Sequence, residues 1–158
     1  MNVLGDTSTR RAFGAALLAV LGAGCVGDGG GVDPADIEVL GYGEIEIVID
    51  GDAVDLSAEQ YQAEYADEYA LAFHFHDFDD YWHMEGDEHV SLGAGIDLLP
   101  EFAFEEADDG YRLQIDDETY EEAESDVSIT TKVNGEAVDA FEYILQDQDE
   151  IEINVTTE

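Results

Sequence analysis

The chain has 158 residues, with 41 Asp and Glu against 4 Lys and Arg, and a formal net charge of −37. That balance excludes a nucleic-acid binder, since neutralising phosphates takes Lys and Arg. A single Cys excludes a disulfide scaffold and a Cys-rich zinc module, and 45% hydrophobic content is too high for a disordered acidic tail.

The N-terminal segment carries two of the four cations, Arg10 and Arg11. An apolar run, Ala15 to Leu21, follows, then Gly22-Ala23-Gly24 and Cys25. Basic, apolar and small residues in that order mark an export signal, and the apolar run is too short to span a bilayer. The segment resembles a twin-arginine signal fused to a lipobox, with Leu21 four residues before Cys25. On this reading residues 1–24 are a signal peptide and Cys25 carries lipid. Residues 25–36, rich in Gly and Asp, form a flexible tether. Residues 37–158 form a single acidic domain, held at the cell surface on the outer face of the cytoplasmic membrane. The membrane, reached through lipid on Cys25, is the one partner this reading names.

The acids are spread along the chain rather than gathered in an Asp-x-Asp-x-Asp-Gly loop, which argues for solvation at high salt over calcium binding. At 1 M salt the Debye length is about 3 Å, and most self-repulsion is screened. Composition and export signal together resemble haloarchaeal surface lipoproteins.

Two segments of the domain echo each other. Ile45 to Ile49 and Ile129 to Val133 are β-rich runs, followed by Asp50-Gly51 and Asn134-Gly135, the residue pairs that type I′ hairpins require. Leu71 to His76 and Tyr81 to Glu85 read as paired strands. Ser91 to Leu99 reads as a short helix capped by Ser91, with Ile96, Leu98 and Leu99 on its apolar side. Tyr111 to Ile115 is a further strand turning at Asp116-Asp117-Glu118. Ser57 to Tyr61 could form a helical turn, and Glu150 to Val155 is a period-2 strand. The expected class is α+β, a mostly antiparallel sheet of hairpins with one short helix. The C-terminal half resembles the β-grasp (ubiquitin-like) arrangement.

All four His fall between positions 74 and 89. Residues two apart in a strand share a face, so His74 and His76 point one way and Phe73 and Phe75 the other. In the next strand Tyr81, His83 and Glu85 share a face opposite Trp82 and Met84. A four-residue turn, Asp77 to Asp80, sets His76 against Tyr81, Phe75 against Trp82 and His74 against His83. That register matches polar with polar and apolar with apolar, and a one-residue slip breaks both faces. The apolar face packs inward and the other points outward. His74, His76, His83 and Glu85 are therefore the candidate metal ligands, suited to Zn²⁺ or Cu²⁺. Asp77, Asp79 and Tyr81 are expected to orient the rings. His89, beyond Gly86, stands apart.

Enzyme motifs fit poorly. His74-Phe75-His76 lacks the later Glu and His of a cupin, and Asp79 stands where metallo-hydrolases need Asp-His. No Gly-x-Ser-x-Gly, P-loop or dinucleotide fingerprint occurs. The pairs Glu105-Glu106 and Asp108-Asp109 read as solvated surface. The set His74, His76, Asp77, His83, Glu85, Leu92-Gly93, Val133-Asn134-Gly135 and Asp149-Glu150-Ile151 resembles a family of small exported archaeal proteins with a His-x-His-Asp strand and a Val-Asn-Gly hairpin. The resemblance implies a shared fold and a shared His face, and brings no activity with it. Asn154-Val155-Thr156 is a glycosylation sequon in an expected strand. The functional expectation is a lipid-anchored, non-enzymatic domain binding a transition metal. A surface interaction or structural module without metal, and a small metal-dependent enzyme, are the alternatives.

Overall fold

The computed structural model describes residues 37–124 and 126–158. The signal peptide, Arg10, Arg11, Cys25 and the tether expected at 25–36 lie outside them. No helix among the described residues is long and apolar enough to cross a membrane.

The central strand is β1 (Val39–Ile49), in which Gly41, Gly43, Ile45, Ile47 and Ile49 share the inner face and Ile47 is fully buried. Asp50 and Gly51 follow with φ of 51° and 89°, both left-handed as type I′ demands, and turn the chain into β2 (Asp52–Ala53). β3 (His74–Phe75) and β4 (Tyr81–Glu85) pair antiparallel, and β4 lies along the first half of β1. The strand expected over 71–76 is thus shorter, because Phe73 N–H bonds back to Ala70 and turns the chain before His74.

Near the C-terminus, β8 (Val127–Val133) turns at Asn134 and Gly135, with φ of 53° and 79°, into β9 (Glu136–Ala137). β10 (Ile151–Thr157) then inserts between β8 and β1, antiparallel to β8 and parallel to β1. The parallel ladder pairs Ile45 with Ile151, Ile47 with Ile153 and Ile49 with Val155, so six aliphatic side chains enter the core together. The sheet runs β3-β4-β1-β10-β8-β9, with β2 also on β1.

Between these halves lie the helix α1 (Leu92–Asp97) and a three-stranded antiparallel sheet. Its strands are β5 (Phe102–Ala107), β6 (Gly110–Ile115) and β7 (Glu118–Glu121). Ser91 caps α1 as expected, accepting from Ala94 N–H at 3.3 Å. A Cβ at Gly93 would come within 2.7 Å of the Phe141 ring, and one at Gly95 within 3.0 Å of Phe73. The glycines that weaken this helix by propensity are what let it approach the core. Ile96 and Leu99 are buried, but Leu98, expected beside them, is exposed. β5 also went unforeseen, since its second half, Glu105 and Glu106, is exposed as expected of acids while Phe102 and Phe104 are buried. The helical turn is a 3-10 turn at Glu59–Tyr61. Mostly strand, in two sheets with one short helix, the domain matches the expected class at that level.

Trp82 ties the two halves of the large sheet together. Paired with Gly43 across the β1–β4 ladder, its indole passes over that glycine and donates to the Asp149 carbonyl at 3.1 Å. A Cβ at Gly43 would lie 2.2 Å from that carbonyl oxygen. The Asp149 carboxylate is buried but satisfied, by Asn134 at 2.8 Å, Tyr143 at 3.0 Å and the Gln146 N–H at 2.8 Å.

Candidate metal centre

The ladder between β3 and β4 sets His74 against His83 and Phe75 against Trp82, the register expected from the turn length. Phe73, Phe75, Trp82 and Met84 all enter the core, and Phe73 stacks on Trp82 at 5.5 Å. The packed side fixes the strand pair, and the pair then fixes the imidazoles on the other side.

That other side is only partly open to solvent: His74 is buried, while the His76 and His83 side chains keep 18% and 15% of their surface exposed. Gln62 bridges to Phe75, and Ala63 N–H donates to the Phe75 carbonyl at 2.9 Å, so the chain beyond the 3-10 turn runs alongside β3 at its free edge. Tyr69 lies 5.2 Å from the His74 ring, and His74 is 1% exposed. The expected outward His face is thus half-buried, with His74 beneath the surface and His76, His83 and Glu85 at it. The segment is held there by burial of Tyr61 against Phe102 and of Ala63.

His74, His76 and Glu85 each offer a ligand atom, and the three atoms lie within 4.8 Å of one another. The Nε2 atoms of His74 and His76 are 3.0 Å apart. Two imidazole nitrogens bound tetrahedrally to Zn²⁺ lie about 3.3 Å apart, so little adjustment brings the pair onto one ion. His83 packs against both rings, with centroids 4.9 Å from His76 and 5.9 Å from His74. Its Nε2 is turned to Asp79, 3.0 and 3.1 Å from the two carboxylate oxygens, which leaves it outside the group of three. Asp79 therefore holds the His83 ring. Asp77 meets no ring, since its side chain accepts from the Tyr65 hydroxyl at 3.1 Å. Tyr81 turns to Tyr42, 5.8 Å away, and His89 Nδ1 pairs with the Leu145 carbonyl at 2.8 Å.

Two residues of the site carried no sequence signal. Glu64 binds His76 Nδ1 at 2.5 Å and accepts from the Asp77 N–H at 3.1 Å. One acid among 41, twelve positions from its partner, is indistinguishable from surface. Phe78, 70% exposed, stacks on His76 at 4.6 Å and covers the site from the turn.

The protonation pattern follows from these partners. Burial would raise the Glu64 carboxyl, but hydrogen bonds from His76 and the Asp77 N–H hold it below its ordinary range. An ionised carboxylate only accepts, so His76 carries its proton on Nδ1 and, when neutral, presents the Nε2 lone pair to His74. His74 is lowered to about 4, chiefly by burial and then by the His76 and His83 imidazoles, against the opposing pull of the Leu71 and Ala70 carbonyls. It is neutral at pH 7 and available as a ligand. If its Nε2–H donates to His76, its Nδ1 is a bare lone pair, and that buried atom makes no hydrogen bond.

Compared with known proteins, no family model matches this chain, and no curated protein and no solved structure is significantly similar to it.

Proposed function

We propose that this protein is an exported, lipid-anchored, non-enzymatic surface protein whose acidic domain binds Zn²⁺ or Cu²⁺ through His74, His76 and Glu85. The observation that carries the reading is the convergence of three ligand atoms within 4.8 Å. The protonation pattern supports it further. A metal on His74 Nε2 leaves that ring's proton on Nδ1. Imidazole and carboxylate donors suit these two ions. His83 becomes a fourth ligand on release from Asp79. The strongly negative chain attracts cations in general.

Calorimetry in molar KCl on the full chain tests the site. Wild type is expected to bind one Zn²⁺ or Cu²⁺, and His74→Ala to lose at least about tenfold in affinity. Equal, weak binding by both proteins removes the metal.

A structural module without metal is the second reading. It is favoured by the hydrogen bonds the imidazoles already make, His76 to Glu64 and His83 to Asp79. For the anchor, the wild-type chain is expected in the detergent phase of a membrane extract and Cys25→Ala in the aqueous phase. Identical partitioning removes the lipid. The β-grasp reading, made for the C-terminal half, draws support from the order β2-β1-β10-β8-β9 only when β1 and β2 from the N-terminal end of the domain are included, with β1 parallel to β10 and α1 between the hairpins in sequence. The archaeal exported family rests on the sequence resemblance alone.

A further inference from the structure

The segment beside β3 is fastened to the His strand residue by residue. Gln62 bridges to Phe75 in parallel, and Ala63 N–H donates to the Phe75 carbonyl at 2.9 Å. The Tyr65 hydroxyl donates to the Asp77 carboxylate at 3.1 Å. Between them stands Glu64, whose two oxygens meet two different groups. Oε1 lies 2.5 Å from His76 Nδ1, and Oε2 accepts from the Asp77 N–H at 3.1 Å. The contact is partly sheltered, with the His76 and Glu64 side chains 18% and 33% exposed and Phe78 stacked on the ring at 4.6 Å.

A carboxylate suits both partners at once. It has lone pairs on two oxygens and no hydrogen to give, so the ring meets it with Nδ1–H. An amide in its place has one oxygen for the two groups. With that oxygen on the Asp77 N–H, the NH₂ group faces Nδ1, which must then accept, and the ring's hydrogen moves to Nε2. Nε2 is the atom 3.0 Å from its counterpart on His74. A neutral ring nitrogen that carries hydrogen has no lone pair for a metal. The side chain at position 64 therefore decides whether the second imidazole is open as a ligand.

We propose, on the metal reading given above, that Glu64 is a positioning residue that holds His76 with Nε2 free, and that metal binding in turn tightens residues 62–65 against β3. A metal on Nε2 draws electron density from the ring and makes Nδ1–H a stronger donor, so metal and carboxylate strengthen each other's hold. A carboxylate bonded to a ligating imidazole is typically worth about 10–100-fold in metal affinity. Coupling of this kind is reciprocal. The same factor therefore appears in the segment's resistance to opening, because opening breaks the Glu64–His76 contact.

The test takes the full chain in molar KCl, with Zn²⁺ as the probe, and compares wild type, Glu64→Gln and Glu68→Gln. Glu68 is exposed in the same segment and controls for the loss of one negative charge. In the metal-free proteins, nitrogen NMR reads which His76 nitrogen carries hydrogen. Nδ1 is expected in wild type and Glu68→Gln, with a larger share on Nε2 in Glu64→Gln. Calorimetry is expected to show Zn²⁺ affinity at least about tenfold lower in Glu64→Gln and unchanged in Glu68→Gln. Zn²⁺ is expected to slow hydrogen exchange at the Ala63 and Asp77 amides of wild type by a similar factor. Equal Zn²⁺ affinity in wild type and Glu64→Gln, or exchange that Zn²⁺ leaves unchanged, overturns the proposal and leaves the metal site standing. Metal-free wild type with its hydrogen on His76 Nε2 overturns it whatever the variants do. Wild type that binds no Zn²⁺ removes the metal reading and this proposal with it.

Discussion

At the scale of single residues, His74 shows how burial sets chemistry. It stands in a strand pair whose apolar side is locked by Phe73 and Trp82, and it is covered on the other side by Tyr69. Water cannot solvate its cation, so its pKa falls to about 4 from an ordinary 6.5. The sign of the consequence follows. Between those two values the unfolded chain binds a proton that the folded chain refuses, so folding loses stability as pH falls through that window. For this one group the loss amounts to about 3 kcal/mol below pH 4. Urea unfolding of wild type and His74→Gln across pH 7 to 4 checks it, with the difference between them shrinking or reversing toward acid. A constant difference would show that His74 titrates normally. The candidate ligands were legible because strand periodicity and turn length are local. Glu64 was not, because its meeting with His76 depends on a segment beside β3 whose path no local pattern encodes.

At the scale of elements, the two hairpins are built alike and pinned differently. Asp50-Gly51 closes β1 onto β2, and Asp50 also accepts from Thr157 N–H and Oγ1 at 2.6 Å each. Asn134-Gly135 closes β8 onto β9, and Asn134 reaches the two residues just before β10 from both ends of its amide, at the Asp149 carboxylate and at the Glu150 N–H. Asn134→Ala therefore loses both bonds and places a Cβ-bearing residue without Asn's tolerance at a φ of 53°. The expected cost is about 2–3 kcal/mol. Thermal unfolding measures it, and a change below about 0.5 kcal/mol, the size of an ordinary surface substitution, contradicts the pinning. Both turns were readable because Asp-Gly and Asn-Gly dictate left-handed φ by themselves. Leu98 misled because helical spacing says which residues share a side, not how far the partner surface extends past the last turn.

At the scale of the whole molecule, charge and topology meet in the parallel ladder. The insertion of β10 beside β1 brings Ile151, Ile153 and Val155 into the core and puts Glu152 against Glu46 outside. The same register that builds the core concentrates repulsion on the surface, and screening must offset it. The melting temperature is accordingly expected to fall as KCl is lowered from molar to millimolar. An unchanged value refutes the halophilic reading. Composition and periodicity alone determined the strand-rich class, the hairpin turns, the helix cap and the His74–His83 register, since each depends on residues close in sequence. Only the tertiary structure decided that β10 lies parallel to β1, that a separate three-stranded sheet forms, and that the His74 imidazole is buried. Those outcomes depend on contacts between distant segments, where many arrangements bury the same apolar residues and packing of the entire chain selects one.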